Sequence, residues 1–508
     1  MDGALDAPRL GFTTTGGRSD FRVLFVTPPS AGQANPLLSI ASEVAGRKNV
    51  AVWFSSAGNI TPGSGLVARC EKISWRPYTE ENAIDNNYAD PVKYGSLRAG
   101  PLNPAGMRVI IDMVFSVDRV KRDYGRVSAL IKEIAPDVMV IDWMAAGAID
   151  AAIAAGVRFI VSIPGLPSSV LAGYLPPGFP SPGSGLRKKM SPDENRKNNE
   201  YRRACLVACG KQLLRYRRLR ETLGSNAENY YDAGSRAEAI LCYSLFEIEY
   251  PFPVPRTLHM LGAIAPASSE LSDENPVLRR WLENQSSVVL VSFGTLAHFS
   301  SAEARALARA VNSISDFSGV LWKLSRRDEA LLAQSGFTFN ENVHIEPWFS
   351  SQHALMQHPG IRAVICHGGA NTVHEALYHG KAVLIVPLWL DCHDMAARLL
   401  DSGAGVATAG EIRSDDIAHG VARILSFSGY SESAVNISEL MRKAGGRKAA
   451  ADIICSLAPA VSLCLVRPLP DGVFSHKFSV VATEASIDER ARGIQQPNRR
   501  ITRRGNVL

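Results

Sequence analysis

The sequence predicts an α/β protein of two domains, and three observations carry that prediction. At 508 residues, with 46% hydrophobic and 20% charged residues, the chain has ordinary globular composition and is too long for one compact core. Ile361 to Met395 reads IRAVICHGGANTVHEALYHGKAVLIVPLWLDCHDM. An apolar, β-branched run to Cys366, a glycine turn, a helix-permissive run closed by Gly380, and a second apolar run ended by Pro387 make a βαβ unit. Arg22 to Thr27 (RVLFVT) followed by a Pro- and Gly-containing loop and a helix from about Leu37 repeats the strand–loop–helix order near the other end, as the start of a Rossmann-like domain.

Composition excludes several functions. The net charge of +6 is small for this length and no aromatic-basic pattern accompanies it, so nucleic acid is not an expected partner. The eight cysteines are scattered without CxxC spacing, which argues against a disulfide scaffold and a zinc site and for reduced thiols. His374 and His379 flank Glu375 but lie five apart, so they splay around a helix and do not form a zinc-protease motif. No apolar h-region opens the chain, and the longest apolar candidate, Ile453 to Val466, is short and contains Pro459. A cytoplasmic protein is expected, with residues 1–20 as a leader.

The central βαβ unit offers an anion site. Paired glycines, Gly368 and Gly369, let an anion approach the free amides that open the helix, and His367 can add a hydrogen bond. Glu375 shares a helix face with Asn371, placing a carboxylate for two ribose hydroxyls beside a phosphate, so a nucleoside diphosphate fits. Asp391 and Asp394 on the next loop would repel phosphate and could accept hydroxyl protons from something uncharged, such as a sugar.

The remaining elements follow in order. Pro136 to Asp142 is a strand ending in Asp142, whose alternative role is to cap a helix over Ala145 to Ala155. Between about Pro176 and Gly224, Pro- and Gly-rich sequence runs into a basic stretch; a solvated helical face or a helix resting on an anionic membrane both fit residues 187–220. Ala239 to Ser244 is the last strand of a domain spanning 21–262, and 263–275 reads as linker. The second domain, 276–460, contains strands at Val288 to Val291, Gly319 to Lys323 and Val343 to Ile345, with Gly294 and Thr295 placed to hold phosphate and Trp348 at a strand end. Helices are expected over Ile412 to Ile424 and Ser438 to Leu457. The 461–508 tail has no functional reading.

These residues resemble the donor-binding signature of the family 1 UDP-glycosyltransferases. Trp348, followed by Gln352, Leu355, His358 and Pro359, looks like its start, and HGGAN, HEAL and the Asp391–Asp394 spacing are closest to fungal natural-product transferases. The sequence departs from the plant version by one extra residue between Trp348 and Gln352, by Ala370 in place of a tryptophan, and by Cys392 where a sugar-binding glutamine is usual. The resemblance implies a GT-B fold, two Rossmann-like domains facing across a cleft. It implies Trp348 stacked on uracil, and Gly294, Thr295, Gln352, His367, Gly369, Asn371, Thr372, Glu375, Asp391 and Cys392 around a UDP-sugar co-substrate, with no metal and no further cofactor. In the family, a histidine and an aspartate deprotonate the acceptor. Asp142 matches the aspartate, but Gln33 stands at the histidine position, and all 11 histidines lie at or after His259.

The implied reaction is inverting transfer of a hexose or pentose from a UDP-sugar to a hydroxyl or carboxyl of a lipophilic small molecule, a terpenoid, polyketide or similar. The alternative, supported by Gln33, is a binding protein of the same fold that does not transfer. A nucleotide-dependent oxidoreductase is disfavoured because no strand-linked G-x-G-x-x-G is present.

Overall fold

The computed structural model describes residues 20–56, 72–78, 90–225, 233–266, 271 and 275–459. The leader, apart from residue 20, and the 461–508 tail lie outside the described residues, as does part of the 263–275 linker.

Two all-parallel sheets organise the chain. The first contains β1 (Phe21–Val26), β2 (Val50–Ser55), β3 (Ile73–Trp75), β4 (Val138–Asp142), β5 (Arg158–Ile163), β6 (Ala239–Cys242) and β7 (Leu258–Met260), in the order β3-β2-β1-β4-β5-β6-β7. The second contains β8 (Val288–Ser292), β9 (Gly319–Lys323), β10 (Val343–Glu346), β11 (Ile361–Cys366), β12 (Ala382–Ile385) and β13 (Gly405–Ala407), in the order β10-β9-β8-β11-β12-β13. Both sheets are covered by helices on their two faces, which is why their central strands read as continuous Val, Ile and Leu runs: β4 and β8 are buried at every position.

Each order reverses direction once, between β1 and β4 in the first sheet and between β8 and β11 in the second. Loops leaving the carboxyl ends of two such strands diverge to opposite faces and leave a crevice. The segments that follow these four strands carry Gln33, Trp143–Met144, Gly294–Thr295 and His367–Gly369 to the two walls of one cleft, while Asp142, the last residue of β4, is buried.

Three helices differ from their expected bounds. The first spans Ala31–Ala45, so Gln33 sits in its opening turn and Pro36 lies inside it. Proline has no N–H to give the carbonyl of Gly32 four residues back, and Asn371 Nδ2 donates to that carbonyl instead, at 2.7 Å. The expected helix 438–457 is two helices, Gly429–Lys443 and Gly446–Cys455, broken where Gly445 and Gly446 both adopt positive φ (88° and 51°). The break turns the last helix back across the first domain, where Ala450, Ala451 and Ile454 join the core formed by Phe25, Leu37, Ile40 and Val140. Asp391 and Asp394, expected on a loop, lie in the first turns of the helix Leu390–Ser402.

Candidate active site

A cleft of about 1270 Å³ runs between the two sheets. On the second-domain side its floor is the turn after β11. Gly368 has φ 93°, open only to glycine without strain, and Gly294 on the neighbouring loop has φ 75°. Both are also tightly enclosed: a Cβ on Gly368 would meet Ile385 Cγ2 at 2.9 Å and one on Gly294 would approach His367 Cε1 to 3.0 Å, and one on the adjacent Gly369 would meet His367 Nε2 at 2.5 Å. The His367 ring is thus sandwiched between the two glycine loops, with Trp389 5.1 Å away between ring centroids. Burial lowers its pKa to about 4. At neutral pH the ring is uncharged and has one N–H to donate, and its Nδ1 has no partner among the described residues.

The helix Ala370–Tyr378 begins at Gly369 with no side-chain cap and no acid in its first turn. Its first free backbone amides and its positive dipole end are therefore available to an anion in the cleft. Thr372 lines the cleft beside them, as do Gly294 and Thr295.

One turn on, Glu375 is held by a relay. Gln352 Nε2 donates to Glu375 Oε2 at 2.9 Å, and Gln352 Oε1 accepts from Ser292 Oγ at 2.7 Å. Gln352, expected as a donor contact, spends its amide on fixing the carboxylate. Burial raises the Glu375 carboxyl to about 7, against the opposing hydrogen bond from Gln352 and the nearby charge of Lys323. Lys323 ends β9 and places its ammonium 4.3 Å from the ring centroid of Trp348. Trp348 itself is 63% exposed, so it is not a core tryptophan despite the extra residue that follows it. The sequence reading missed Lys323; its one signal was its place at the carboxyl end of a parallel strand.

Three expected contacts are placed elsewhere. Asn371 uses its side-chain amide to bridge to Gly32 across the cleft. Cys392 is fully buried in the sheet–helix core, where a Cβ on Gly368 would come within 3.1 Å of its own Cβ; its side chain faces away from the cleft. Asp394 accepts from the backbone amides of Gly183 and Gly185 at 2.6 and 2.8 Å, so it anchors a first-domain loop and is not available to sugar hydroxyls. Asp391 lies open to the cleft at the start of the same helix, with its carboxyl raised to about 7 by surrounding protein and by Asp394.

That helix also ties the domains together. Arg398 Nε donates to Glu249 Oε1 at 2.7 Å and Nη2 to Ser168 Oγ at 3.0 Å, with both charged groups buried and Tyr250 stacked on the guanidinium at 4.5 Å. Asp401 accepts from Tyr250 Oη at 2.6 Å and pairs with Arg187.

The first-domain wall is different in character. Gln33 lines the cleft and directs Nε2 to Met144 Sδ at 3.3 Å. Asp142 is fully buried. Its Oδ1 accepts the Met144 amide at 2.9 Å, its Oδ2 has no partner among the described residues, and burial raises its pKa to about 7. It closes the turn before the helix Ala146–Ala155, whose N-cap is Ala145. Trp143 and Met144, not Asp142, face the cleft there. Most of the rest of this wall is apolar, with Met107, Ile110, Ile111, Val170, Leu206 and Leu213, while Asn35, Ser39, Ser169 and Arg202 add polar groups. Among the described residues no group of His, Cys, Asp or Glu is arranged to hold a metal ion, and no helix is long and apolar enough to cross a membrane.

Two Rossmann-like domains with a polar wall on one side of the cleft and an apolar wall on the other define a GT-B architecture. Solved structures with the same fold include the glycotransferase of kitacinnamycin (TM-score 0.63, 16% identity, covering 87% of this chain and 100% of that one). LpCGTa in complex with UDP is another (TM-score 0.57, 17% identity, 86% and 99%). The chain belongs to the UDP-glucoronosyl and UDP-glucosyl transferase family, whose model matches residues 137–444. Curated relatives include UDP-glucuronosyltransferase 3A1 of Xenopus laevis, 27% identical over 202 residues, and 2-hydroxyacylsphingosine 1-beta-galactosyltransferase of Rattus norvegicus, 25% identical over 225 residues. These matches take in 39% and 43% of this chain and span 37% and 39% of those relatives.

Proposed function

We propose that the protein transfers a hexose or pentose from a UDP-sugar to a hydroxyl or carboxyl of a lipophilic small molecule, with inversion at the anomeric carbon. The observation that supports this most is the pairing, in one cleft, of an uncapped helix N-terminus beside a neutral His367 and a braced Glu375 with an apolar wall opposite. Uracil stacks on Trp348, ribose hydroxyls donate to Glu375, and the diphosphate lies against Gly294, Thr295, Gly369 and the first amides of the helix. Asp391 accepts from the sugar. The leaving UDP is stabilised by the helix dipole and by His367, so the reaction needs neither metal nor further cofactor. The acceptor proton passes to Asp142 through a water, because Trp143 and Met144 stand between that carboxylate and the cleft.

A terpenoid, polyketide or similar acceptor, of the kind handled by fungal natural-product transferases, suits the apolar wall. Peripheral contact of the 187–220 segment with a membrane, the store of such molecules, belongs to the same reading. A second reading, a nucleotide-sugar or lipophile binder that does not transfer, is favoured by Gln33 and by the enclosure of Asp142. The two are separated by incubating the protein with a panel of UDP-sugars and measuring UDP release: release that requires an acceptor supports transfer, and binding without acceptor-dependent release supports the binder.

A further inference from the structure

The helix Pro192–Leu223 walls the apolar side of the cleft and is firmly seated on its inner face. Gln212 Nε2 donates to the Phe115 carbonyl at 2.6 Å, and Arg220 and Tyr216 both bond to the buried Asp150. Its outer face changes character after Glu200. The opening Pro192–Glu200 segment neutralises itself, with Asp193 paired to Arg196 and Lys197, and Glu200 to Arg196. From Tyr201 to Arg220 there is no acid at all. Arg203, Lys211, Arg215 and Arg218 are exposed and have no acidic partner among the described residues, and Arg217 reaches only Glu221, at 3.8 Å.

Between these cations stand three exposed apolar residues: Leu206 at 66%, Val207 at 85% and Leu214 at 58%. At 100° per residue, Arg203, Leu206, Val207, Lys211, Leu214 and Arg218 fall on one stripe of the helix. Solvation explains the cations but not the apolar residues among them. An acid-free stripe of this composition has the chemistry that meets anionic headgroups with its cations while its apolar side chains enter the acyl boundary.

We propose that the Tyr201–Arg220 segment of this helix docks the protein on an anionic lipid surface, and that the Pro192–Glu200 segment does not. This rests on the reading of a lipophilic acceptor, to which it adds the face, the segment of the helix and the lipid class. Leu206 both lines the cleft and belongs to the stripe, so the apolar wall opens beside the docked face and an acceptor enters it from the bilayer.

The test is co-sedimentation of the full chain with vesicles of phosphatidylcholine alone or with added phosphatidylserine, in the absence of donor and acceptor. Wild type is expected on the anionic vesicles only, and to be released by molar salt. Replacing Arg203, Lys211, Arg215 and Arg218 by Gln together should lower partitioning on the order of 1000-fold. The pair Val207→Asp and Leu214→Asp should also abolish sedimentation. Both variants should keep the thermal shift that wild type shows with UDP, which verifies folding. Equal binding to the two vesicle types, or an unchanged quadruple variant, would overturn the proposal. So would an unchanged Val207→Asp, Leu214→Asp variant, since a face that needs only charge recognises a soluble polyanion or an acidic protein. Vesicle binding is read without turnover, so failure of the transfer reading, seen as no acceptor-dependent UDP release with soluble acceptors, is a separate outcome.

Discussion

The two walls of the cleft are built on the same plan and finished differently. Each sits at the point where a parallel sheet reverses its strand order, and each presents the loops after two central strands. On the second-domain wall those loops are polar and interlocked: Ser292 holds Gln352, Gln352 holds Glu375, and two glycines enclose His367. On the first-domain wall Gln33 bonds the Met144 side chain and Asp142, at the end of β4, accepts the Met144 amide, and the surrounding surface is mostly apolar. A nucleotide presents the same polar groups each time, so its wall can be rigid and specific. The lipophilic acceptor proposed for the other wall needs area and a way in, and asks for only one proton-accepting group.

The largest expected effect concerns what joins the walls. Arg398→Ala leaves Glu249 buried without its counter-charge, and loss of one partner of a buried pair costs about 3–5 kcal/mol. Chemical denaturation should show this loss; a stability within about 0.5 kcal/mol of wild type would mean that the walls are held by packing alone.

Glu375→Ala sharpens the contrast between the walls. Removing the carboxylate proposed to accept the ribose hydroxyls should weaken uridine and UDP by about 1.5–3 kcal/mol, measured by calorimetry, with the fold intact. Asp391→Ala, in comparison, should weaken a UDP-sugar and leave UDP almost unchanged, because that carboxylate is proposed to accept from the sugar and not from the nucleotide. Equal losses for both ligands would place Asp391 against the nucleotide.

The pH dependence of uridine binding carries the sign of the Glu375 environment. Burial raises this carboxyl to about 7, so it is protonated below that pH and ionised above it. Only the ionised form accepts from both hydroxyls, so uridine affinity should rise between pH 6 and 8 and then level off. Glu375→Gln should flatten the curve. A fall in affinity over the same interval would contradict the assignment.

The smallest expected effect is at the bridge between the walls. Asn371→Ala removes one hydrogen bond, to Gly32, worth about 0.5–1.5 kcal/mol. Pro36→Ala restores a backbone N–H that competes for the same carbonyl, and should weaken the bridge without disturbing uridine binding.

The same contrast explains what could be read from sequence. The polar wall was legible because its parts are contiguous: strand, His367, two glycines, helix and Glu375 span a few turns of chain, and each residue type states its chemistry. What is remote was not legible. Lys323 reaches Trp348 from another strand, and Asp394 and Arg398 meet Gly183 and Glu249 only after both domains have folded. The first helix was expected six residues late because Pro36 reads as a breaker, and the bond that makes it tolerable comes from Asn371, far along the chain. Cys392 read as a site residue by position, but its burial follows from the positive φ of Gly368, which brings backbone against it.

The apolar wall makes a single chemical claim, that Asp142 takes the acceptor proton. The measurement that tests it most directly is the pH–rate profile at saturating UDP-sugar with a neutral alcohol acceptor, for wild type and Asp142→Asn. Burial raises the Asp142 carboxyl to about 7 and only its ionised form can accept a proton, so the wild-type rate should climb through that pH. In Asp142→Asn the ascending limb should vanish and the rate should fall on the order of 100-fold or more, while donor affinity holds. An unchanged profile and rate in that variant would contradict the claim and leave the acceptor to ionise without help from this wall.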